Sequence, residues 1–401
     1  MSTFNTIDDL DVSGKCVLVR ADLNVPMRDG RVSDATRIER SLPTLRDLAE
    51  HGARVIVISH FGRPKGQRSP ELSLKPIAAA LAEAAGRDVA FAADCVGAEA
   101  ATVVGAMADG DLALLENLRF HSAEENNDME FAGQLATLAD AYVNDAFSCA
   151  HRAHASTEAI THLLPAAAGR LMQSELIALT NALENPTRPV AAVVGGAKIS
   201  TKMAVLGHLA SKVDQLIIGG GMANTFLHAQ GVNVGASLCE ADMADQALAV
   251  MDAAAAAGCE VVLPVDATVA KEFKEGAASQ SVPVGMVPAD GMILDVGPAS
   301  IDDLTQRLAD CKTVVWNGPL GAFEISPFDS GTNAVAREAA RLTKDGALLS
   351  VAGGGDTVAA LANAGVVDAF SYVSTAGGAF LEWLEGKTLP GVAALAKKGS
   401  A

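Results

Sequence analysis

The chain has 401 residues, of which 50% are hydrophobic and 19% charged, and 48 acidic residues against 30 Lys and Arg residues give a formal net charge of −18. This size and apolar content suit one large core or, better, two domain cores, and the moderate charge content excludes general disorder. The negative balance argues against a protein that coats DNA or RNA, although a local cluster of positive charge can still bind a small anion.

The sequence carries no signal for export or membrane insertion. No run of 18 apolar residues occurs, and the acidic, polar stretch 1–15 lacks the basic start and apolar run of a secretory signal. The six cysteines are scattered without C-x-x-C spacing, which is typical of reduced, buried structural thiols. We therefore expect a cytoplasmic protein with no membrane or nucleic-acid partner.

Short apolar runs alternate along the chain with Ala- and Leu-rich segments. The runs lie at 16–25, 53–62, 111–120, 141–148, 189–198, 215–223, 260–270, 313–321, 347–356 and 370–378. Apolar runs without polar alternation are typical of strands buried on both faces, and alternation with helices indicates parallel sheets. The pattern predicts an α/β protein with doubly wound parallel sheets.

The chain divides best near 171–189, where one amphipathic helix is followed by the two prolines of 185–189. We predict an N-terminal domain at 1–170, a linker helix and hinge at 171–188, and a C-terminal domain at 189–387. The remaining segment, 388–401, is expected to pack back on the N-terminal domain. Two Rossmann-like domains joined by a long helix would then face each other across a cleft.

Ligands of open parallel sheets bind at the carboxyl ends of the strands, so the residues at the end of each run or soon after it matter most. In the N-terminal half these are cationic and polar: Arg20, Asp22, Asn24, Arg37, His60, Arg63, Arg119, His151, Arg152 and His154. A single arginine there is usually a surface group, but several that converge without matched carboxylates favour an anion. The histidines lack metal-site spacing, so we interpret them as anion donors or core residues.

In the C-terminal half, glycines cluster where strands meet helices. They are Gly195-Gly196, Gly219-Gly220-Gly221, Gly318 with Gly321, Gly353-Gly354-Gly355 and Gly377-Gly378. Glycine lets backbone N–H groups approach a phosphate, and the nearby Lys198, Lys202, Asp356 and Thr357 favour a nucleotide site. Neither G-x-x-x-x-G-K-[ST] nor G-x-G-x-x-G is complete, since Asn224 stands where the latter needs glycine. Asp356 at a helix start is more often a cap, but beside a polyphosphate it could bind Mg²⁺.

An anion-binding half together with a nucleotide-binding half points to phosphoryl transfer. At this stage nine motifs carry a resemblance to a known family. They are VRADLNVP (19–26), SHFGRP (59–64), LLENLRF (114–120), VNDAFSCAHRAHAS (143–156), GGAKISTK (195–202), GGGMANTF (219–226), VVWNGPLGAFE (314–324), GGGDT (353–357) and STAGGAFLE (374–382). In order and over roughly residues 4–390, they resemble the phosphoglycerate kinase family.

The resemblance implies the reversible reaction of 1,3-bisphosphoglycerate with Mg-ADP to give 3-phosphoglycerate and ATP, catalysed by a monomer. It implies a phosphoglycerate site made of Asp22, Leu23, Asn24, Arg37, His60, Phe61, Gly62, Arg63, Arg119 and Arg152. The implied nucleotide site consists of Lys198, Lys202, Gly219, Gly220, Leu294, Asn317, Glu324, Gly354, Gly355, Asp356 and Thr357.

Particular roles come with this resemblance. Glu324 would contact the ribose, Asp356 would bind Mg²⁺, and Gly377 with Gly378 would aim a helix N-terminus at the moving phosphoryl group. Arg37 and Lys198 would neutralise the transferred group. The attacking carboxylate or phosphate oxygen is already ionised at pH 7, so no general base is required. Two positions depart from the family pattern, because Ile293 and Ala376 stand where relatives often have glycine.

Two other classes remain open at this stage. A nicotinamide oxidoreductase would suit doubly wound sheets, but the missing dinucleotide fingerprint counts against it. A catalytically dead scaffold would keep the fold, but it would have no reason to keep Arg37, Lys198, Lys202 and Asp356. Nucleotide base preference, oligomeric state and the resting angle between the domains are not determined by these patterns.

Overall fold

The computed structural model describes residues 4–397, and these form two compact units. The first unit runs to Leu176 and also takes in the C-terminal residues from Thr388 onwards, whereas the second spans Ile177–Lys387. The division falls inside the helix Arg170–Leu179, which is followed by one π-helical turn at Thr180–Glu184. The predicted amphipathic helix is therefore present at this boundary.

The first unit is built on a six-stranded sheet in which every pairing is parallel, in the order β5-β6-β4-β1-β7-β8. Its strands are β1 Cys16–Arg20, β4 Arg54–Ile58, β5 Val89–Ala92, β6 Leu112–Leu115, β7 Ala141–Asn144 and β8 Ala166–Ala168. A small antiparallel hairpin is formed by β2 Met27–Arg28 and β3 Arg31–Val32. The connecting helices are α1 Thr36–Glu50, α2 Lys75–Ala85, α3 Gly97–Gly105, α4 Ser122–Glu125, α5 Met129–Ala136 and α6 Arg170–Leu179. Short 3₁₀ turns lie at Ile7–Asp9, Pro70–Leu72, Leu118–Phe120, Phe147–Cys149 and Ala159–His162.

The central strands β1, β4, β6 and β7 of this sheet are buried on both faces, as their unbroken apolar runs predict, whereas the edge strand β5 is partly exposed. All five residues of β1 are buried; Val17 and Val19 pack into a core with α1 and α2, while Cys16 and Leu18 pack into a separate core with α3 and α5. The helices begin and end where local sequence signals indicate. In α2, for instance, a proline stands in the first turn and Gly86, in a left-handed conformation, ends the helix.

The second unit contains another six-stranded sheet, again parallel throughout, in the order β11-β10-β9-β15-β16-β17. Its strands are β9 Val190–Val194, β10 Gln215–Ile218, β11 Glu260–Val262, β15 Thr313–Asn317, β16 Leu349–Gly353 and β17 Tyr372–Ser374. The unit also contains a three-stranded antiparallel sheet in the order β13-β12-β14, with β12 Asp266–Ala270, β13 Ser279–Pro283 and β14 Met292–Val296. The helices are α7 Met203–Ala210, α8 Gly220–Ala229, α9 Ala244–Ala256, α10 Pro298–Asp310, α11 Ser330–Lys344, α12 Gly355–Ala364 and α13 Gly378–Leu384. Further 3₁₀ turns lie at Ile199–Thr201, Ala241–Met243, Val284–Met286 and Val367–Ala369.

The antiparallel sheet corrects one prediction. The run 260–270 was interpreted as a single strand, but it contains β11 of the parallel sheet and β12 of the antiparallel one, separated at 263–265. Strands β13 and β14 lacked a predictive pattern because β13 is mostly exposed and β14 shows no alternation of buried and exposed residues.

The C-terminal segment returns to the first unit. Helix α14, Pro390–Ala393, places the Gly391 N–H 2.9 Å from the carbonyl oxygen of Ala150, and Phe4 forms a β-bridge with Ala396. Residues 398–401 of the segment predicted to pack there lie outside the described residues.

The helices and the cysteines of the described chain can be compared with the sequence-based predictions. Within residues 4–397, no helix combines the length and the apolar character needed to cross a lipid bilayer. All six cysteines are free thiols, and five of them are buried.

The start of α6 is secured by a buried carboxylate. Asp145 Oδ1, just after β7, accepts hydrogen bonds from the backbone N–H groups of Leu171 at 2.9 Å and Met172 at 3.2 Å. Thr44 Oγ1 accepts the N–H of Arg170, so the first three amides of the helix have partners. Burial raises the pKa of Asp145 to about 7, despite these hydrogen bonds.

This raised pKa predicts a specific pH dependence of stability. As pH rises, the unfolded chain releases the Asp145 proton first, so the free energy of unfolding falls between about pH 4 and pH 7. We expect Asp145→Asn, which cannot ionise, to be more stable than the parent protein by about 2–4 kcal/mol at pH 8 and nearly equal to it at pH 4. Urea unfolding at the two pH values measures this difference.

A matched control is Asp128→Asn, since Asp128 caps α5 through the Phe131 N–H at 2.8 Å but is exposed. Its effect on stability should not vary with pH in the same way. A constant difference between Asp145→Asn and the parent protein at pH 4 and pH 8 would contradict the prediction.

Candidate functional site

Both parallel sheets have a point at which the order of strands reverses. In the first sheet it lies between β1 and β7, and in the second between β9 and β15. Connections on the two sides of such a point leave in opposite directions and open a crevice at the carboxyl ends of the strands. Most of the predicted site residues follow strands at or next to these two points.

The first crevice contains a group of polar and charged residues that we call the cationic cluster: Asp22, Asn24, Arg37, His60 and Arg119. Arg37 of α1 donates from Nη1 to Asp22 Oδ2 at 2.7 Å and to the carbonyl oxygen of Asn24 at 3.1 Å. Asn24 Oδ1 accepts the Gly62 N–H at 3.0 Å, and Arg119 Nη1 donates to the Gly62 carbonyl oxygen at 2.8 Å. Three successive loops are thereby fixed to one another.

Asp22 is the anionic member of this cluster. Its Oδ2 also accepts a hydrogen bond from Ser148 Oγ at 2.5 Å. Burial alone would raise the pKa of Asp22, but neighbouring positive charge, including that of Arg37, and the Ser148 hydrogen bond outweigh burial and lower it. Asp22 therefore orients Arg37 as a carboxylate.

Asn117 organises the cluster and was missed by the sequence analysis. Its Nδ2 donates to the carbonyl oxygens of Phe61 and Leu72, and its Oδ1 accepts the N–H groups of Phe61 and Arg119. It is fully buried. The only available signal was its position in LLENLRF directly after β6, and a buried amide in a loop has no sequence pattern of its own.

The structure corrects the premise that the arginines lack matched carboxylates. Arg37 is paired with Asp22, and Arg119 Nε lies 3.4 Å from Glu125 Oε1. Within residues 4–397, no carboxylate pairs with Arg63 or Arg152, and both side chains are exposed. Positive charge is still in excess here, but only part of it is free of an acidic partner.

Arg20 and His154 are core residues rather than free anion donors. Arg20 is 1% exposed, and its guanidinium contacts Ser156, Ala21, His60 and Cys149. His154 is also buried; burial, with nearby arginines, lowers its pKa to about 4. A sequence pattern cannot separate a buried arginine at a strand end from an exposed one, because both follow the same apolar run.

Leu23 and Phe61, which were predicted to line the site, are buried beneath it. The Leu23 N–H donates to Ser59 Oγ at 2.9 Å, and Phe61 is held at both backbone groups by Asn117. Gly62 adopts a left-handed φ of +59°, which turns the chain between His60 and Arg63. These three residues shape the loop that presents the polar side chains.

The second unit contains a pocket of about 440 Å³ between its parallel sheet and its antiparallel sheet. Its wall is mainly apolar, with Leu227, Leu238, Phe273, Ile293 and Leu294 among the lining residues. Gly220, Glu324 and Asp356 also line it, so four predicted nucleotide residues, including Leu294, meet around one cavity. Volume and lining suit a flat apolar group attached to a polar, charged one.

Several glycines of this region are required by packing between loops rather than by approach to a ligand. A Cβ on Gly195 would lie 1.9 Å from the Pro319 carbonyl oxygen, and one on Gly219 would lie 2.8 Å from Leu320 Cα. Gly220, at a φ of +65°, would clash with the backbone of Gly196. The turns after β9, β10 and β15 thus contact one another directly. Glycine is needed at these positions for packing between the turns, and not only for the predicted approach of N–H groups to a phosphate.

The turn after β16 has a different character. Gly354, at a φ of +101°, precedes α12, and the first intrahelical hydrogen bond runs from the Val358 N–H to the Gly354 carbonyl oxygen. The N–H groups of the first helical turn therefore have no partner within the helix, and a Cβ on Gly355 would meet open space. Asp356 is exposed and makes no side-chain cap, whereas the Thr357 hydroxyl is occupied by the Gly318 N–H and the Gly353 carbonyl oxygen.

Lys202 and Asn317 connect this turn to the strands. Lys202 Nζ donates to Asn317 Oδ1, and Asn317 Nδ2 donates to the Gly353 carbonyl oxygen at 2.7 Å. Burial lowers the pKa of Lys202, although Asp356 acts in the opposite direction. Lys198 is exposed in the loop after β9.

The turn at 376–378 lies beside the end of β16. Gly377 has a φ of +48° and precedes α13, whose Phe380 ring would be 2.6 Å from a Cβ on Gly353. Ala376, one of the two departures from the family pattern, is 6% exposed, and its N–H donates to Ser374 Oγ. Gly377 and Gly378 are thus placed next to the glycine turn that follows β16.

Asp295 is a second residue that the sequence analysis did not single out. It lines the pocket, is 2% exposed, and accepts the Gly331 and Val296 N–H groups at 2.7 and 2.9 Å. Burial raises its pKa to about 7. These contacts tie α11 to the antiparallel sheet, so its role in the described structure is to hold the wall of the pocket.

A divalent cation fits the donor chemistry around Asp356. This exposed carboxylate stands in the first turn of α12, where unpartnered N–H groups and the neighbouring Lys202 favour phosphate oxygens. Mg²⁺ prefers one or two carboxylates together with phosphate oxygens.

Comparisons with known proteins agree over almost the whole length. The family model described as phosphoglycerate kinase matches residues 7–387. The chain belongs to the phosphoglycerate kinase family. It is 64% identical over 392 residues to the phosphoglycerate kinase of Rhodospirillum centenum, covering 98% of this chain and 99% of that protein.

Other relatives support the same assignment. Identity to the phosphoglycerate kinase of Methylobacterium radiotolerans is 62% over 400 residues, with full coverage of both chains. The solved phosphoglycerate kinase from Coxiella burnetii matches with a TM-score of 0.92 at 44% identity and covers 98% of each chain. Membership identifies the chain as a kinase, a phosphotransferase of glycolysis, and confirms the two parallel-sheet α/β domains.

Proposed function

We propose that this chain transfers a phosphoryl group reversibly between 1,3-bisphosphoglycerate and Mg-ADP, giving 3-phosphoglycerate and ATP. The proposal rests on the observation that each of the two strand-order reversals has a different kind of binding site beside it. One crevice has a cationic cluster suited to a small anion, and the other has an apolar pocket that ends at an open helix N-terminus. An anionic carboxylic substrate suits the first, and a nucleotide suits the second.

The phosphoglycerate would bind to the cationic cluster, with Arg63 and Arg152 supplying the exposed positive charge. Arg37, whose side chain is 37% exposed, is held by Asp22 and remains able to reach a ligand. Since Asn24 and Gly62 join the loops of Arg37 and Arg119, the donors are positioned before the substrate arrives. Preorganised donors stabilise developing charge without rearrangement during the reaction.

The nucleotide would place its base in the apolar pocket near Leu294 and its ribose against Glu324. Its phosphates would lie at the first turn of α12, where Gly354, Gly355 and Thr357 offer backbone N–H groups and Asp356 would hold Mg²⁺. Bound Mg²⁺ would neutralise charge on the phosphate oxygens. Lys202, positioned by Asn317, would add a positive charge to this site.

The chemistry needs no general base. The attacking oxygen is an ionised carboxylate or phosphate, so the protein's task is positioning and charge neutralisation. We assign neutralisation of the transferred group to Arg37 and Lys198, supported by the backbone turn at Gly377 and Gly378. We also infer, from the resemblance, that the enzyme acts as a cytoplasmic monomer.

An assay that couples ATP formation from 1,3-bisphosphoglycerate and ADP to a spectroscopic signal tests the proposed function. In that assay we expect Arg37→Ala to lower kcat by about 10²–10³-fold while the protein stays folded, because it removes charge stabilisation in the transition state. Arg46→Ala is the matched control, since Arg46 lies exposed on the same helix α1. Near-normal turnover of Arg37→Ala would remove this side chain from catalysis, and no ATP formation by the parent protein would refute the function.

A second prediction concerns Asp356. If it binds Mg²⁺, Asp356→Ala should weaken binding of Mg-ADP at least tenfold and leave binding of metal-free ADP almost unchanged. Isothermal titration with and without Mg²⁺ separates the two effects. Asp368→Ala, which removes another exposed carboxylate of the same unit, should behave like the parent protein. Equal Mg-ADP affinity in Asp356→Ala would show that this residue does not bind the metal.

We further propose that the two units close on each other when both substrates are bound, with hinges near 171–189 and 374–378. Closure would exclude water and bring donor and acceptor into line. Small-angle scattering should then report a smaller radius of gyration with 3-phosphoglycerate and a Mg-nucleotide together than without ligands. An unchanged radius with both sites saturated would contradict closure.

A further inference from the structure

We propose that Arg20 fixes the tautomer of His60, so that His60 is a neutral imidazole with its proton on Nε2 and donates from that atom to phosphoglycerate. Arg20 is thus a positioning residue that acts through His60. The identity of the ligand rests on the proposed function. The tautomer rests only on the contacts within the first unit.

The guanidinium of Arg20 is held at each of its nitrogens. Nε donates to Ser156 Oγ at 2.9 Å, Nη1 donates to the Ala21 carbonyl oxygen, and Nη2 lies 3.0 Å from His60 Nδ1 and 3.6 Å from Cys149 Sγ. Ser156 is itself held, because its Oγ donates to Glu124 Oε1 at 2.6 Å. With Arg20 1% exposed and Glu124 fully buried, the guanidinium has no room to turn away from His60.

The chemistry of the Arg20–His60 contact leaves one assignment. A guanidinium stays protonated in proteins and has donors but no acceptor. His60 Nδ1 must therefore accept the Arg20 hydrogen, since a proton on Nδ1 would point at the N–H of Nη2. A neutral imidazole that accepts at Nδ1 carries its hydrogen on Nε2.

The other atoms around the ring agree with this assignment. The hydrogen-bond contacts of the His60 ring within residues 4–397 are made at Nδ1, to Arg20 and, at 3.9 Å, to Cys149 Sγ. The Nε2–H is therefore left for a ligand. Burial raises the pKa of Cys149, so its sulfur faces His60 as a neutral thiol.

The charged groups around His60 disfavour its cationic form. Burial and the positive charges of Arg20, Arg119 and Arg37 lower the pKa of His60 well below its usual value, and only Asp22 acts in the opposite direction. The charge of Asp22 is already shared with Arg37 and the Ser148 hydroxyl. These residues come from four separate segments: the end of β1, helix α1, and the 3₁₀ turns Leu118–Phe120 and Phe147–Cys149.

The Nε2–H tautomer of His60 has a functional consequence. An ordinary histidine would lose its charge near pH 6.5 and with it part of its attraction for an anionic substrate. A His60 fixed as an Nε2–H donor makes the same hydrogen bond at every pH between about 5.5 and 8. Arg20 would thus make this substrate contact independent of pH, although Arg20 itself is too deeply buried to contact the substrate.

Nitrogen NMR of the intact protein tests the tautomer directly. With ¹⁵N-labelled histidine, the two ring nitrogens of His60 should give one unprotonated, pyridine-type Nδ1 signal and one protonated, pyrrole-type Nε2 signal, unchanged from pH 5.5 to pH 8. A His60→Gln sample identifies the signals among the eight histidines. His51, which is exposed beside Asp47, should titrate in the same spectra and serves as an internal control. A His60 that is doubly protonated at pH 6, or protonated on Nδ1, overturns the proposal.

Two variants test the part played by Arg20. Arg20→Met removes the donor and its charge with a side chain of similar length, and His60 should then become protonated near pH 6 beside Asp22. The KM for 3-phosphoglycerate in this variant should be about fivefold lower at pH 6 than at pH 8, beyond any change in the parent protein. The kcat values of the variant at the two pH values should differ little. Arg20→Lys, which keeps a cationic donor, should restore the pH-independent signals.

The possible outcomes distinguish a failure of the His60 tautomer from a failure of the proposed function. Should Arg20→Met not fold, the spectra of the parent protein still decide the tautomer. A parent protein without activity toward phosphoglycerate would refute the proposed function but would leave the tautomer to the spectra. Unchanged His60 signals in a folded Arg20→Met protein would show that Arg20 does not set the tautomer.

Discussion

The constraint on which the structure depends is the burial of the central strands of two parallel sheets. A strand covered on both faces, such as β9, accepts only apolar side chains along its length, and β1 is apolar up to its last residue, Arg20. Charged groups close to the sheets are therefore concentrated at the ends of the central strands and in the loops that follow them. At the strand-order reversals between β1 and β7 and between β9 and β15, these loops diverge and leave space for a ligand. Burial of the sheets thus determines where chemistry can occur in each unit.

Desolvation then determines which charged groups can occupy those loops. Arg20 and Glu124 are both buried, and each is tolerated because Ser156 connects them through hydrogen bonds. Asp22 is kept as a carboxylate by Arg37 and Ser148. The residues beneath the cationic cluster therefore act as a support that leaves Arg37, Arg63 and Arg152 nearer to the surface. In the second unit, the glycine turns after β9, β10 and β15 are held by backbone contacts with one another.

Much of this arrangement could be predicted from the sequence because it depends on local signals. Unbroken apolar runs identified most strands of both parallel sheets, and the residues immediately after them include most of the cationic cluster. The predictions of strands failed where the apolar pattern was weak or where one apolar run served two strands. Strand β13 is mostly exposed and β14 shows no alternation of buried and exposed residues, and the run 260–270 belongs to two sheets although its hydrophobicity is nearly continuous. The burial of Arg20 could not be predicted, because an arginine at the end of an apolar run can be buried or exposed and only packing decides which.

The sequence by itself determined the class of fold, the family and the set of residues able to carry the chemistry, because these follow from hydrophobic periodicity and from motifs that local chain geometry requires. Only the tertiary structure decided which polar groups are partnered and which are free. Asn117 holds two loops, Arg20 faces His60, and the hydroxyl of Thr357 is occupied, all through contacts between segments distant in the chain. Hydrogen-bond partners and desolvation depend on three-dimensional proximity, and no linear pattern records which side chains meet.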